Sequence, residues 1–297
     1  LIIILQWTII YKKGVELMEY VDFFGHKVSK LIVGDNPITG HSYIAYKITG
    51  ADMMKYYTTE NVLKLLFEIE ASGINTMLPL SDPYILRILK EYKYAGGKMQ
   101  FIFQPYMPVR EDVRIRQMME LEPIGVYHQG TTTDKLFECG EYEEIKRGLK
   151  AYHEMGIPVG LGTHRPDVIE MSEREGWDVD FYMACMQNAR IGREREDSGF
   201  LTGKPKNNIT FHPDHRPVML NTLKNVEKPI IVFKIFAGGQ MLVDEPADKK
   251  REIIKGVYEE IFPQLKPNDF AAMGVFQRDE DQLKENVDIF NEWAAGK

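Results

Sequence analysis

Eight short apolar runs, each followed by a longer amphipathic segment, constrain the fold of this 297-residue chain more than any other feature. The apolar runs predict buried strands, and apolar residues at three- and four-residue spacing between them predict helices. The predicted strands are LIVGDN (31–36), INTML (74–78), MQFIFQP (99–105), PIGVYHQ (123–129), IPVGLGTH (157–164), VDFYMAC (179–185), KPIIVFKIFAGG (228–239) and FAAMGVF (270–276). Eight such units favour a closed (β/α)8 TIM barrel, with an open doubly wound sheet as the alternative.

A short hairpin, residues 21–30, is predicted before the first of these strands, and two of the loops that follow strands are long. They are residues 37–58 after the first strand and residues 186–213 after the sixth, whereas such connections usually have ~2–6 residues. Because barrel active sites are built from loops at the carboxyl ends of strands, we expect both loops to cover or line a pocket. A solvated insertion is an equal alternative for the second loop.

Composition and charge narrow the class of partner. The chain is 44% hydrophobic, which is enough to bury a full core, and its net charge of −7 argues against nucleic acid and anionic membranes. A small-molecule substrate is therefore the expected partner. Two cysteines are too few for a disulfide framework, which predicts a reducing, cytoplasmic setting. The oligomeric state cannot be read from these features.

The first seventeen residues contain the apolar run LIIILQWTII, which is too short for a membrane span of ~20 residues. Lys12 and Lys13 follow this run, whereas a signal peptide has its positive charges in front. The codons for Lys13-Gly14-Val15 can contain a purine-rich GGAG stretch, as in a ribosome-binding site, shortly before Met18. We therefore expect translation to start at Met18, so that residues 1–17 are a non-native or disordered extension. Residues 18–297 are then expected to form one barrel domain.

The order of several motifs resembles the aldo-keto reductase superfamily over almost the whole chain. The matching segments are VSKLIVGDNPITG, ASGINTMLPLSDPY, EPIGVYHQ, GIPVGLGTH, FKIFAGG and DQLKEN. The match is diffuse but collinear, and it extends more loosely to bacterial barrel proteins related to that superfamily. The resemblance implies a TIM barrel and NADP- or NAD-linked reduction or oxidation of a sugar or another carbonyl compound.

The resemblance also implies a catalytic tetrad, of which only two members match this sequence. His128 matches the histidine that ends the fourth strand, and Tyr84 lies within one residue of the tyrosine. Leu78 replaces the aspartate and Gln104 replaces the lysine. Because a neutral amide cannot lower the pKa of a tyrosine from ~10, the resemblance implies that the usual mechanism is impaired or absent.

The cofactor positions implied by the resemblance are also mixed. Glu285 and Asn286 match the carboxylate and amide assigned to adenine, and Phe233 matches an aromatic that stacks on nicotinamide. The loops after strands seven and eight commonly bind phosphate in barrels. The other candidate cofactor residues are Lys234, Gly238, Gly239, Gln277, Arg278 and Gln282.

Lys234 follows a strand with a buried pattern, and an unpaired buried lysine is costly. We expect its side chain to point into the barrel mouth, and an ion pair with a neighbour such as Asp35 is the structural alternative. His128, Gln104, Lys234 and Asp35 are expected to converge on one cavity. A divalent metal has four candidate ligands, whose spacing is not a metal motif: Asp35, His41, His128 and His164.

Three functions remain open from the sequence. The first is a carbonyl enzyme related to nicotinamide-dependent reductases, using Tyr84, His128, Gln104, Lys234 or Asp35. The second is a non-redox lyase, isomerase or hydrolase that uses His128 and Lys234, with or without a metal. The third is a binding protein that has kept the barrel without the chemistry. The replacements at Leu78 and Gln104 favour the second, whereas Glu285 and Asn286 favour the first.

Overall fold

The computed structural model describes residues 18–105, 111–187, 211–212 and 214–297, without the side chains of residues 111–114. The predicted extension 1–17 and most of the predicted loop 186–213 lie outside the described residues.

Eight parallel strands close into a barrel, which confirms the predicted (β/α)8 TIM barrel and excludes the open sheet. The barrel strands are β3 (Leu31–Gly34), β4 (Thr76–Leu78), β5 (Gln100–Phe103), β6 (Gly125–His128), β7 (Val159–Thr163), β8 (Phe181–Cys185), β9 (Ile230–Phe233) and β10 (Phe270–Met273). Neighbouring strands pair in chain order, and β10 closes the ring by pairing with β3 through Ala271 and Leu31. Each strand lies within the corresponding predicted apolar run.

The predicted hairpin is formed by strands β1 (Tyr20–Phe23) and β2 (His26–Ser29) and lies at the amino-terminal end of the barrel. Its Phe23 is fully buried and packs edge-on against Phe181 and Phe270, with ring centroids 5.1 and 5.4 Å apart. Because these two partners begin β8 and β10, the hairpin plugs the floor of the barrel.

Helices surround the barrel and make its strands buried on both faces. They are α1 (Gly50–Tyr56), α2 (Thr59–Ala71), α3 (Pro83–Tyr94), α4 (Glu111–Met119), α5 (Gly130–Glu138), α6 (Tyr142–His153), α7 (Pro166–Glu175), α8 (His215–Leu223), α9 (Ala247–Ile261) and α10 (Gln282–Ala295). Alternate strand residues face the barrel interior and the helices, as the two-residue period of a strand requires. In β6, Tyr127 packs in the interior cluster and Val126 in the outer cluster.

The loop after β3 extends over the carboxyl ends of the strands, as expected for residues 37–58. It contains α1, which begins with a capping box between Thr49 and Asp52. The side chain of Tyr57 is buried and donates a hydrogen bond of 2.8 Å to the carbonyl oxygen of Val275. This contact fixes the far end of the loop to the segment after β10.

In the described part of the chain, no helix has both the length and the apolar character that crossing a membrane requires.

Candidate functional site

A cavity of about 1250 Å³ opens at the carboxyl ends of the barrel strands. Its wall includes Asp35, Gln104, Tyr127, His164 and Lys234, which lie at or after the ends of five different strands. Because catalytic residues of (β/α)8 barrels occupy this position, the cavity is the candidate active site. Its size exceeds the ~300–1,000 Å³ typical of small-molecule pockets.

One side of the cavity contains a chain of hydrogen bonds from Lys234 to a buried carboxylate. The Nζ atom of Lys234 lies 2.8 Å from Nε2 of His164, and Nδ1 of His164 lies 2.8 Å from Oδ2 of Asp134. An ammonium group has only donors, so Nε2 accepts and Nδ1 donates its proton to Asp134. Asp134 also accepts a hydrogen bond from the hydroxyl of Thr163 at 2.5 Å.

Asp134 was not among the residues predicted from the sequence. It lies in the second turn of α5, where it is fully buried. The sequence around Asp134, GTTTDKLFE, is typical of an amphipathic helix and carries no local signal of its role. Its function becomes visible only when α5 packs against the end of β7, which brings Asp134 to His164.

Aromatic rings surround the amino group of Lys234. Its Nζ atom lies 4.6 Å from the ring centre of Tyr43, 5.0 Å from that of Phe211 and 5.6 Å from that of Phe233. A cation at this distance from a ring face is stabilised by the ring quadrupole. The backbone at Lys234 has a φ of 55°, in the left-handed region that non-glycine residues rarely adopt.

A second group of residues lies at or after the ends of four consecutive strands, β3 to β6. Asp35 comes directly after β3, and its Oδ2 accepts the backbone N–H of Leu80 at 2.6 Å. Leu80 forms a parallel bridge with Gln104, whose side-chain oxygen accepts the hydroxyl of Tyr127 at 2.8 Å. Asp35, Gln104 and Tyr127 therefore form an arc of polar groups along the mouth of the barrel, which begins two strands from β9, the strand before Lys234.

The carboxyl group of Asp35 is 7% exposed. Burial raises the pKa of this group to about 7, with the Asp82 carboxylate adding to the rise and the Leu80 N–H opposing it. Burial, with a smaller contribution from Asp35, also raises the pKa of Tyr127 well above its usual value. At neutral pH Asp35 can therefore both accept and donate a proton, whereas Tyr127 stays protonated.

Of the four side chains expected to converge on this cavity, Gln104, Lys234 and Asp35 line it, whereas His128 does not. The His128 ring lies on the outer face of the barrel, where its Nδ1 is 2.7 Å from the hydroxyl of Thr133. A Cβ atom at Gly148 would lie only 3.0 Å from this ring, so the ring packs against α6. Burial lowers the pKa of His128 to about 4.

Tyr84 also lies outside the candidate site. It is 42% exposed at the start of α3, and its hydroxyl donates to the carbonyl oxygen of Tyr57 at 3.1 Å. Pro83 starts α3, so Tyr84 lies in the first turn of this helix, where its hydroxyl reaches the loop after β3. Two other tyrosines, Tyr43 and Tyr127, line the cavity, and neither was among the candidate site residues from the sequence. Leu78 lies in the cavity wall at the position implied for an aspartate.

Most of the candidate cofactor residues line the same cavity, namely Phe233, Lys234, Gly238, Gly239, Arg278, Gln282, Glu285 and Asn286. The amide of Asn286, however, accepts the hydroxyl of Tyr258 at 3.0 Å and donates to the carbonyl oxygen of Gln282 at 2.7 Å. The guanidinium of Arg278 is paired with Asp279, with NH2 2.7 Å from Oδ2. Gln277 is not a lining residue, and its Oε1 accepts the N–H of Leu283 at 3.0 Å.

The two glycines after β9 are covered by the loop after β3. A Cβ atom at Gly238 would lie 2.6 Å from the ring of Tyr43, and a φ of 62° further favours glycine there. The N–H of Gly239 already donates to the carbonyl oxygen of Phe236 at 2.9 Å. Gln240 holds the covering loop in place through a bond of 2.9 Å from Nε2 to the Tyr43 carbonyl.

The four candidate metal ligands are dispersed. His128 faces the helices, His164 is bonded to Asp134 and Lys234, and Asp35 accepts the Leu80 N–H. The Nδ1 atom of His41 lies 2.9 Å from the hydroxyl of Thr39. Within residues 18–187 and 211–297, as far as these are described, no three His, Cys, Asp or Glu side chains are grouped as metal ligands.

Searches with family models and with curated protein sequences find no match to this chain. Solved structures do match it. The aldo-keto reductase AKR11C1 from Bacillus halodurans, in its holo form, is 11% identical, with a TM-score of 0.55 over 94% of this chain and 96% of that one. A mutant of Gox0644 in complex with NADPH is 10% identical, with a TM-score of 0.52 over 94% and 93% of the two chains.

A barrel enzyme of another kind is similar to about the same degree. The dihydropteroate synthase of Yersinia pestis is 11% identical, with a TM-score of 0.50 over 93% of this chain and 98% of that one. Likenesses at these identities show the fold and leave the activity open. The chain is therefore a (β/α)8 barrel of the kind found in aldo-keto reductases and other TIM-barrel enzymes.

Proposed function

We propose that the chain is an enzyme that acts on a small polar carbonyl compound without transferring hydride. In this proposal Lys234 donates a hydrogen bond to the carbonyl oxygen and stabilises the negative charge that develops there when a neighbouring C–H bond breaks. The observation that carries the proposal is the bonded chain from Lys234 through His164 to Asp134, which opens into the cavity. The reaction class is that of an isomerase or lyase.

The surroundings of Lys234 support a role as a cation. An ammonium group carries three N–H donors, of which one is used by Nε2 of His164. The Asp134 carboxylate behind His164 and the ring of Tyr43 both stabilise positive charge. A donor held rigidly beside a developing oxyanion contributes ~3–4 kcal/mol of transition-state stabilisation in known enzymes.

A carbonyl reductase dependent on NADPH is the second candidate, because Phe233, Arg278 and Glu285 line the same cavity and one structural neighbour binds NADPH. The residues do not fit the dinucleotide well. Asn286 is bonded within the protein, and Tyr43 covers Gly238 where a pyrophosphate is expected. The tetrad is also incomplete, since His128 and Tyr84 lie outside the cavity. No step of the proposed mechanism uses the dinucleotide.

Proton NMR in D₂O tests the proposal with a series of three- to six-carbon hydroxy aldehydes, ketones and keto acids. We expect the native protein to exchange hydrogen next to the carbonyl for deuterium with no dinucleotide present. Lys234→Met should lose this exchange by about 10²–10³-fold, the loss seen when one oxyanion donor is removed. Lys255→Met is the matched control, because Lys255 is an exposed lysine on α9 paired with Glu259.

Two results would overturn the proposal. One is undiminished exchange by Lys234→Met. The other is consumption of NADPH or NADH by the native protein with these compounds at ~1 per second or faster, because such a rate is typical of a working enzyme. The second result would establish the reductase instead.

A further inference from the structure

Asp35 is the carboxyl group of the arc that it forms with Gln104 and Tyr127, and it lies in the wall of the cavity. One oxygen is held by the N–H of Leu80 at 2.6 Å, so the plane of the carboxyl group is fixed. In the part of the chain that the structure describes, no lysine or arginine is paired with it. Burial without a cation is costly for a carboxylate, so a structural role alone gives no reason for this placement.

Gln104 and Tyr127 lie beside Asp35 and provide neutral hydrogen-bonding groups. The hydroxyl of Tyr127 and one end of the Gln104 amide satisfy each other at 2.8 Å. Gln104 lines the cavity, and the other end of its amide makes no bond within the described residues. A neutral amide beside a carboxyl group is suited to bind the hydroxyl of a substrate.

We infer that Asp35 is the proton-transferring group of this site and that the substrate is an α-hydroxy carbonyl compound whose hydroxyl is bound by Gln104. The inference rests on the proposed function, because it supplies the base and the substrate class for the reaction that Lys234 assists. Lys234 and Asp35 both line the cavity, after strands β9 and β3, which are separated by β10 alone, so a substrate that contacts both has its carbonyl oxygen at Lys234 and its C–H bond at Asp35.

The proton balance of the step is complete without a further reactant. The Asp35 carboxylate takes a proton from the carbon next to the carbonyl, and the C–H electron pair becomes the C=C bond of an enolate. The carbonyl π pair moves onto oxygen, which accepts a hydrogen bond from Lys234. Return of the proton from the Asp35 carboxyl group to carbon restores the carbonyl and the carboxylate.

Several titratable groups set the charge of Asp35. Burial raises the pKa of Asp35 to about 7, and the charge of Asp82, on the segment after β4, contributes to this rise. Tyr127 faces it from β6 as a neutral phenol, because burial and Asp35 both raise the pKa of Tyr127. His41 lies on the same loop, where burial and the charge of Lys234 lower its pKa. We therefore expect exchange to increase as the pH rises through about 7.

The test measures deuterium exchange into the α-hydroxy aldehydes and ketones of the same series and into their deoxy analogues. Asp35→Asn keeps the shape and an oxygen for the Leu80 N–H, and should lower exchange by about 10²–10⁴-fold. Asp82→Asn is the matched control, because Asn also caps α3. It should keep the maximal rate and move the pH midpoint of exchange downward.

Gln104→Met tests the substrate class separately. Loss of one hydrogen bond should lower the ratio of the exchange rate with hydroxylated substrates to the rate with deoxy substrates by about tenfold. The rate with deoxy substrates should change little. Equal slowing with both classes would overturn the assignment of Gln104 and of the hydroxylated substrate.

The outcomes separate the inference from the proposed function. Activity lost in Lys234→Met but kept in Asp35→Asn overturns the assignment of Asp35 and leaves the proposed function standing. If Asp35→Asn is inactive but the pH midpoint of exchange is unchanged in Asp82→Asn, the rise of exchange with pH belongs to another titrating group. This result overturns the acid–base role of Asp35. Absence of exchange with every compound in the native protein overturns the proposed function and the substrate class together.

Discussion

The buried carboxyl group of Asp35 makes a prediction about stability that needs no substrate. Folding raises its pKa from 3.8 to about 7, so the folded state binds this proton more tightly than the unfolded state. The stability associated with the protonated group is fully present below pH 4 and is lost as the pH rises through about 7. The native chain should therefore lose stability over this window, by an amount set by the shift.

Asp35→Asn removes this loss, because the amide has no charge to bury and still accepts the Leu80 N–H. A shift of about 3 units at 1.36 kcal/mol per unit gives about 4 kcal/mol in favour of the variant above pH 8, relative to the difference below pH 4. With an unfolding entropy of ~0.6 kcal/mol per kelvin for a chain of this size, this is about 7 °C in Tm.

Thermal and urea unfolding of both proteins at several pH values between 4 and 9 measures this difference. Asp248→Asn is the control, because Asp248 is an exposed carboxylate in the first turn of α9. Its difference from the native protein should change little with pH. A stability difference between Asp35→Asn and the native chain that is the same at pH 4 and pH 9 would refute the reasoning.

Three further predictions concern residues around the cavity. Asp134→Ala leaves the donors of Thr163 and His164 without their acceptor, so the free energy of unfolding in urea should fall by ~1–3 kcal/mol and deuterium exchange should slow. A loss of stability with no change in exchange would contradict the role of Asp134 behind Lys234. Asn286→Ala should lower the free energy of unfolding by ~1–3 kcal/mol, because the Tyr258 hydroxyl loses its partner. Glu285→Ala should change the free energy of unfolding by less than ~0.5 kcal/mol. Equal effects of the two substitutions would show that the hydrogen bonds of the Asn286 amide do not contribute to stability. His128→Ala should lower the free energy of unfolding by ~1–3 kcal/mol and leave the exchange rate of the folded protein unchanged. A loss of exchange without a loss of stability would indicate that His128 is a catalytic group.

The sequence predicted the barrel well because its signal is repeated eight times. Every barrel strand lies inside a predicted apolar run, and the hairpin and the loop after β3 are where the turn residues placed them. Strand ends were less certain, since β9 ends at Phe233 while its apolar run continues. An apolar run indicates that a segment is buried, and both faces of a barrel strand are buried. The run therefore does not show at which residue the hydrogen bonding between strands stops.

The direction of side chains was harder to predict, and His128 shows why. In β6 both Tyr127 and His128 are buried, so no polar face indicates which of the two enters the barrel. A resemblance in motif order places a residue at a strand end without fixing its side. Asp134 and the Tyr43 ring over Gly238 depend on packing between segments far apart in the chain, which no local pattern contains.

The hairpin formed by β1 and β2 closes the amino-terminal end of the barrel, below the cavity. In the described part of the chain, Phe23 packs against Phe181 and Phe270 at the amino-terminal end, and the cavity opens at the mouth that the loop after β3 covers. Substrate and product then pass through the same opening, so slow release of the product delays binding of the next substrate. Movement of the loop after β3 therefore affects both substrate entry and product release, and steps of this kind limit turnover in many enzymes.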